Sequence, residues 1–226
     1  MSPRKKLNDS TSLFAAAGLE RDAPRPLADR LRPNQLSEVV GQDHLLGPDG
    51  ALTRMLETRS LGSLIFWGPP GTGKTTVARL LADATALHFE QISAVFSGVA
   101  DLKKVFDAAR ARRETGIGTL LFVDEVHRFN RAQQDSFLPV MEDGTVVLVG
   151  ATTENPSFEL NSALLSRCRV HVLESISIDD IVAALKRALA DTERGLGELA
   201  LQVSDESLRL IAHAADGDVQ IGRAHV

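Results

Sequence analysis

The stretch Leu64-Ile-Phe-Trp-Gly-Pro-Pro-Gly-Thr-Gly-Lys-Thr-Thr76 decides the fold of this chain, because it joins an apolar strand, a glycine-rich turn and the start of a helix. Leu64–Trp67 is a short continuous apolar run, which is typical of a buried strand. The residues that follow have the pattern GxxxxGK followed by Ser or Thr. Glycines let backbone N–H groups approach phosphate oxygens closely, and the N-terminus of the next helix adds partial positive charge. The stretch therefore predicts a phosphate-binding loop of the nucleoside-triphosphatase type.

Two side chains of this loop carry most of the predicted chemistry. Lys74 is expected to reach the β and γ phosphates as a point charge and to assist catalysis, and the hydroxyl of Thr75 is a candidate Mg²⁺ ligand. We therefore expect ATP and Mg²⁺ as ligands. The candidate ATP-binding residues of the loop are Gly68, Pro69, Pro70, Gly71, Thr72, Gly73, Lys74, Thr75 and Thr76.

A second apolar run, Leu120–Val123, delivers the carboxylates of Asp124 and Glu125 at its end. Ligands of open α/β sheets bind beyond the carboxyl ends of the strands. Asp124 is therefore a candidate Mg²⁺ ligand, and Glu125 a candidate catalytic residue that polarises the attacking water. Together with His127 these residues also spell the DExH tetrapeptide of superfamily-two helicases, but that architecture needs a second RecA-like domain. We assign no catalytic role to His127.

Composition narrows the class of protein without naming a function. The 226 residues include 43% hydrophobic and 24% charged residues, which is ordinary for a packed globular chain. The net charge of −5 argues against a protein that binds nucleic acid over its whole surface. Apolar runs stay far below the roughly 20 residues that span a bilayer, so no membrane association is expected. The single cysteine, Cys168, excludes an internal disulfide and fits a reducing cytoplasm.

Apolar patterning predicts strands and helices in alternation, hence a parallel sheet with helices on both faces. Three strands are expected, at Leu64–Trp67, Leu120–Val123 and Val146–Gly150. We expect a flexible polar leader over residues 1–26, the α/β core over 27–175, and the start of a small helical lid over 176–226. The expected helices are 49–59, 75–85, 102–113, 132–142, 179–191 and 204–215.

The loop and the acidic strand end resemble those of AAA+ ATPases of the clamp-loader clade, and other segments agree with this resemblance. Arg32 and the segment containing Val40 and Gln42 look like the part that packs on the adenine. Thr153 stands in the position of sensor 1, beside the attacking water or the γ-phosphate. Arg167, within Ser-Arg-Cys168, resembles an arginine finger that enters the site of a neighbouring subunit and acts in catalysis.

Longer blocks narrow the resemblance to the replication-associated recombination protein A (RarA, also called MgsA) family. They are Asp124-Glu-Val-His-Arg-Phe-Asn130 and Ala151-Thr-Thr-Glu-Asn-Pro-Ser-Phe158. The resemblance implies a DNA-dependent ATPase acting at stalled or gapped replication forks in recombination and repair. It implies binding to DNA with single-strand/duplex junctions, work beside single-stranded DNA-binding protein, a homo-oligomer that is a tetramer at full length, and a bacterial cytoplasmic, nucleoid-associated location.

The end of the chain departs from the family. The family's sensor-2 pattern is Gly-Asp-x-Arg, whereas this chain has Gly217-Asp-Val-Gln220. Residues 221–226 can be encoded by codons that match a common sequencing adapter. We therefore expect this chain to be an N-terminal fragment whose last residues are non-native.

Four other functions remain open at this stage. A clamp-loader subunit and a Holliday-junction branch-migration motor share the phosphate loop and the arginine finger. A nucleotide-gated scaffold without productive turnover would need neither Glu125 nor Arg167. A protein unfoldase would need an aromatic–glycine pore loop, for which Phe96-Ser-Gly98 is a weak candidate.

Overall fold

A computed structural model describes residues 26–218 of the chain. The predicted leader, apart from Pro26, lies outside the described residues, as do Gln220 and the end of the chain. The strands are β1 (Leu64–Trp67), β2 (His88–Ser93), β3 (Thr119–Asp124), β4 (Val146–Thr152) and β5 (Arg169–Val172). Helices α1 to α8 are Leu27–Arg30, Asp43–Leu46, Ala51–Glu57, Lys74–Ala84, Val99–Glu114, Arg131–Asp135, Phe137–Glu142 and Pro156–Glu159. Helices α9 to α11 are Ser162–Leu165, Ile178–Ala190 and Asp205–Ala214.

The five strands form one parallel sheet in the order β2-β3-β4-β1-β5, which confirms the predicted α/β fold class. The central strands are buried because helices cover both faces, and two apolar clusters lie on opposite sides of them. One contains Phe106, Phe137 and Leu148 from α5, α7 and β4. The other contains Leu52, Phe66 and Leu81 from α3, β1 and α4. These clusters hold the strand ends, and thus the loops that follow them, in fixed positions.

Two strands escaped the sequence prediction because they form the edges of the sheet. β2 (His-Phe-Glu-Gln-Ile-Ser) and β5 (Arg-Val-His-Val) are exposed or half-buried along their whole lengths. Edge strands tolerate charged and polar residues, so they lack the continuous apolar run that marks β1 and β3.

One predicted helix is divided in the structure. The expected helix over 132–142 consists of α6 and α7, which meet at Ser136. Pro139 has no N–H to donate to the carbonyl of Asp135, and its ring crowds that carbonyl, so a single helix cannot continue through this point.

A third apolar cluster lies after the sheet, between α10 and α11. It is built from Ile181, Leu185, Leu208 and Ala212 with Ile176 of the preceding segment. Ser177 begins α10 by accepting a hydrogen bond from the N–H of Asp180 at 3.1 Å. Among residues 26–218, none of the helices has both the length and the hydropathy that a bilayer crossing requires.

Candidate nucleotide site

The phosphate loop lies at the carboxyl edge of the sheet, between β1 and α4. Gly71 and Gly73 adopt φ values of 74° and 95°, a region that side chains other than glycine rarely enter. A Cβ atom on Gly71 would also collide with the carboxylate of Asp218. The backbone therefore has the turn that a phosphate-binding loop requires, and α4 starts directly after it.

Lys74 points back across the loop. Its Nζ donates to the carbonyl oxygens of Gly68 and Pro69, at 2.7 and 2.6 Å, and the residue is 9% exposed. Burial lowers the pKa of Lys74, while the carboxylates of Glu125, Asp124 and Asp218 oppose that shift by favouring the charged ammonium. The two carbonyl bonds hold the ammonium above the loop, on the side where the carboxylates lie.

Sheet register brings the acidic strand end and the β4 end to the same edge. Asp124 is the last residue of β3 and pairs with Ser93 of β2. Trp67, which precedes the phosphate loop, pairs with Thr152 of β4. Parallel strands that end together deliver their following residues into one crevice.

That crevice is a cleft of about 200 Å³. It brings together the residues predicted for phosphate and metal binding and the predicted sensor-1 residue. Its lining consists of Pro70, Gly71, Gly73, Lys74, Thr75, Thr76, Asp124, Glu125 and Thr153.

An adjoining depression fits the predicted adenine side of the site. Arg32 and Val40 line it together with Gly71, Thr72 and Gly73 of the phosphate loop. Arg32 also makes an ion pair with Asp29 at 3.2 Å. Thr72 turns its hydroxyl inward and donates to the carbonyl of Pro69 at 3.0 Å, which braces the loop.

Gln42 has a different environment from its predicted neighbours. It is 1% exposed, and its amide makes two hydrogen bonds with the backbone of Glu174, at 2.8 and 3.1 Å. These bonds join the segment before α2 to the chain between β5 and α10. Gln42 therefore positions the adenine-side segment through Glu174, and direct contact with a base stays a prediction.

Arg167 does not line the cleft of its own chain. Its guanidinium pairs with Glu142 at the end of α7, with Nη2–Oε1 at 2.6 Å and Nε–Oε1 at 2.7 Å. The side chain is 41% exposed. Arg167 is thus accessible on the surface.

The cleft offers oxygen ligands to a divalent cation from the Thr75 hydroxyl and the Asp124 carboxylate, the donor type that Mg²⁺ prefers. Within residues 26–218 no group of three or more His, Cys, Asp or Glu side chains converges on a metal-sized space. A cation here would therefore complete its coordination with phosphate and water oxygens, as Mg²⁺ does in nucleotide sites.

Two buried polar residues were not predicted from the sequence, and one of them, Thr152, directly precedes the cleft residue Thr153. Thr152 is completely buried, and its hydroxyl lies 2.9 Å from Nδ1 of His127. Gln134 is 2% exposed and bonds to the backbone of three residues. A buried polar residue in an otherwise apolar or helical stretch was the available signal, but it does not identify the partners.

The site belongs to a known family. Residues 64–175 match the ATPase family associated with various cellular activities (AAA). Over 195 residues the chain is 53% identical to replication-associated recombination protein A of Coxiella burnetii, covering 86% of this chain and 44% of that protein. The Escherichia coli K12 protein of the same name is 52% identical, covering 87% and 44%.

Solved structures agree with the fold. The Thermotoga maritima RuvB Holliday junction branch migration motor superposes with a TM-score of 0.67 at 26% identity. The match covers 86% of this chain and 63% of that chain. Compared with the two replication-associated recombination proteins above, the chain spans less than half of the relative's length. With its phosphate loop, its acidic strand end and these similarities, the chain belongs to the AAA ATPases, in the family of replication-associated recombination protein A.

Proposed function

We propose that this chain contains the ATPase site of a DNA-dependent enzyme that acts at stalled or gapped replication forks in recombination and repair. One observation carries the proposal. Lys74, Glu125 and Thr153 converge on one cleft, in a chain about half identical to proteins named for replication-associated recombination. Because this chain spans only 44% of those relatives, the activity of the whole protein remains a proposal.

Each side chain has a defined task in hydrolysis. Lys74 binds the β and γ phosphate oxygens, and Glu125 accepts a proton from the water that attacks the γ-phosphorus. Thr153 orients that water or the γ-phosphate. Bound Mg²⁺, held through Thr75 and Asp124, would neutralise charge that develops on the phosphates.

Arg167 completes the site of a neighbouring subunit in this proposal. Its exposure supports this role, and so does its absence from the lining of its own cleft. A guanidinium supplied in trans can stabilise transition-state charge and accelerate hydrolysis by about 10³-fold or more. The active form would then be a homo-oligomer, with a tetramer proposed for the full-length protein.

The proposed partners follow from the family. They are DNA carrying a single-strand/duplex junction and single-stranded DNA-binding protein, in the bacterial cytoplasm close to the nucleoid. Every partner here is a proposal that rests on similarity.

The test is ATP turnover by the protein, including any sequence that its gene encodes beyond residue 226. Turnover is measured without DNA and with junction DNA, single strands or blunt duplex, and with Lys74→Ala as the inactive reference. Junction DNA is expected to stimulate the rate more than either simple DNA. Turnover that ignores DNA would contradict the fork assignment and favour an ATPase directed at protein.

The same assay separates the alternative functions. Stimulation that requires a sliding clamp would indicate a clamp-loader subunit. Preferential stimulation by four-way junctions would indicate a branch-migration motor. The similarity to RuvB makes this motor the second candidate. Tight ATP binding without turnover would indicate a scaffold. Mixing Arg167→Ala with Glu125→Gln subunits tests the finger in trans, since mixed oligomers contain sites with both residues intact and should recover activity.

A further inference from the structure

His127 lies directly beside the candidate catalytic carboxylate and has no role in the proposed chemistry. Its side chain is 5% exposed, in a 3₁₀ turn over Val126–Arg128 that follows Glu125. Nε2 of the ring lies 3.4 Å from Oε2 of Glu125, and Nδ1 lies 2.9 Å from the hydroxyl of Thr152. Each ring nitrogen therefore faces a polar side-chain atom, Nε2 the carboxylate of Glu125 and Nδ1 the hydroxyl of Thr152.

The backbone produces this arrangement at Glu125. Glu125 adopts φ 53°, in the left-handed region that is unfavourable for any residue with a Cβ atom. This conformation turns the chain sharply at the end of β3. The turn brings the residue two positions later back over the carboxylate. Unfavourable backbone conformations of this kind persist where surrounding contacts impose them, often at functional sites.

The other end of the contact is anchored in the sheet. Thr152 ends β4 and is completely buried. Its hydroxyl also accepts a hydrogen bond from the N–H of Glu154 at 3.0 Å and is within donating distance, 3.1 Å, of the carbonyl of that residue. The His127 ring is therefore held by a group that has little freedom to move.

Hydrogen-bond chemistry allows the ring to act on Glu125. A neutral imidazole donates from one nitrogen and accepts at the other. The Thr152 hydroxyl has one proton to donate, and when Nδ1 rather than the Glu154 carbonyl accepts it, the proton of the ring is on Nε2, which lies 3.4 Å from Oε2 of Glu125. The Glu125 side chain is 30% exposed, so without such a donor its carboxylate could turn between rotamers.

We propose that His127 is a positioning residue, which fixes the orientation of the Glu125 carboxylate for water activation and is itself anchored by Thr152. The inference rests on the ATP hydrolysis proposed above. General-base catalysis requires the carboxylate within hydrogen-bond reach of the water, and a displacement of about 1 Å can reduce the rate by up to about 100-fold. His127 is not among the residues that line the cleft, so its loss should lower kcat and leave ATP binding unchanged.

The two amide substitutions separate the two contacts of the ring. In His127→Gln the amide nitrogen reaches the position of Nε2, and in His127→Asn the amide reaches only the position of Nδ1. We expect His127→Ala and His127→Asn to lower kcat by about tenfold or more, and His127→Gln to stay within about threefold of the parent. KM and the affinity for the fluorescent analogue mant-ATP should change by less than about twofold in all three.

One control variant and one stability measurement make the outcome interpretable. His213→Ala removes an exposed histidine of α11 and should match the parent, and urea unfolding reports whether each variant is folded. A kcat retained by His127→Asn and lost in His127→Gln would overturn the proposal, since the ring would then act only through Thr152. Unchanged kcat in His127→Ala would overturn it as well.

Glu125→Gln distinguishes failure of this inference from failure of the proposed function. If the parent turns over ATP and Glu125→Gln does not, while all His127 variants equal the parent, only the role of His127 is refuted. If the parent and Glu125→Gln are equally inactive with junction DNA, the proposed hydrolysis fails and the inference fails with it.

Discussion

Replacing Gln134 with leucine should destabilise the protein by about 3 kcal/mol. The Gln134 amide donates to the carbonyls of Phe129 and Glu159, at 2.9 and 3.2 Å, and accepts from the N–H of Asn161 at 2.8 Å. One hydrogen bond contributes about 1 kcal/mol net to the free energy of unfolding, and leucine would remove all three of these bonds at once. Leucine has a similar volume, so little cavity or strain is added to this figure.

Urea unfolding measures the loss, with the fluorescence of Trp67, the only tryptophan, reporting on the sheet. At a slope of about 2 kcal/mol/M the midpoint should fall by about 1.5 M. Gln202→Leu is the matched control, because Gln202 is exposed, and its effect should stay within about 0.5 kcal/mol. A loss below about 1 kcal/mol for Gln134→Leu, with the same slope against urea concentration, would show that the three hydrogen bonds do not stabilise the fold as proposed.

Three further predictions follow from local geometry. Burial raises the pKa of the Cys168 thiol from 9.0 to about 12, so its thiolate fraction at pH 8 falls by about 1000-fold; a thiol reagent should react far faster in denaturant than with the folded protein. Ser177→Ala removes the cap of α10 and should cost about 1 kcal/mol in urea unfolding, whereas a loss near zero would contradict a capping role. Gly71→Ala should weaken mant-ADP binding at least about tenfold, because residue 71 has a positive φ and a Cβ there would collide with Asp218. Gly62→Ala is the control and should bind normally, because a Cβ there meets open space. Equal affinities of the two variants would count against the loop geometry.

The centre of the fold was predictable because burial on both faces leaves a continuous apolar signal. β1, β3 and β4 carry that signal, and all three occur in the structure close to their predicted bounds. β2 and β5 were missed because they carry charged residues such as Glu90 and Arg169, which resemble loop residues in sequence. Their pairing depends on β3 and β1, partners distant in sequence that local patterns do not reveal.

Sequence could place residues in the cleft wherever one residue type serves one chemical purpose. Glycines, a lysine and a hydroxyl in fixed spacing predict a phosphate loop, and the structure brings Thr153 and the strand-end carboxylates to the same cleft. The buried polar residues Gln134 and Thr152 were not predictable, because their hydrogen-bond partners lie in other elements. Gln42 shows the same limit, since its amide bonds to Glu174, 132 residues away.

The central claim is that Glu125 activates water for ATP hydrolysis in this cleft. The most direct measurement compares ATP turnover and mant-ATP affinity of the parent and Glu125→Gln, in the presence of Mg²⁺ and junction DNA. Because glutamine cannot accept the proton, Glu125→Gln should lower kcat by about 100-fold or more, while mant-ATP still binds with an affinity within about threefold of the parent. Turnover retained by Glu125→Gln at close to the parent rate would contradict the claim.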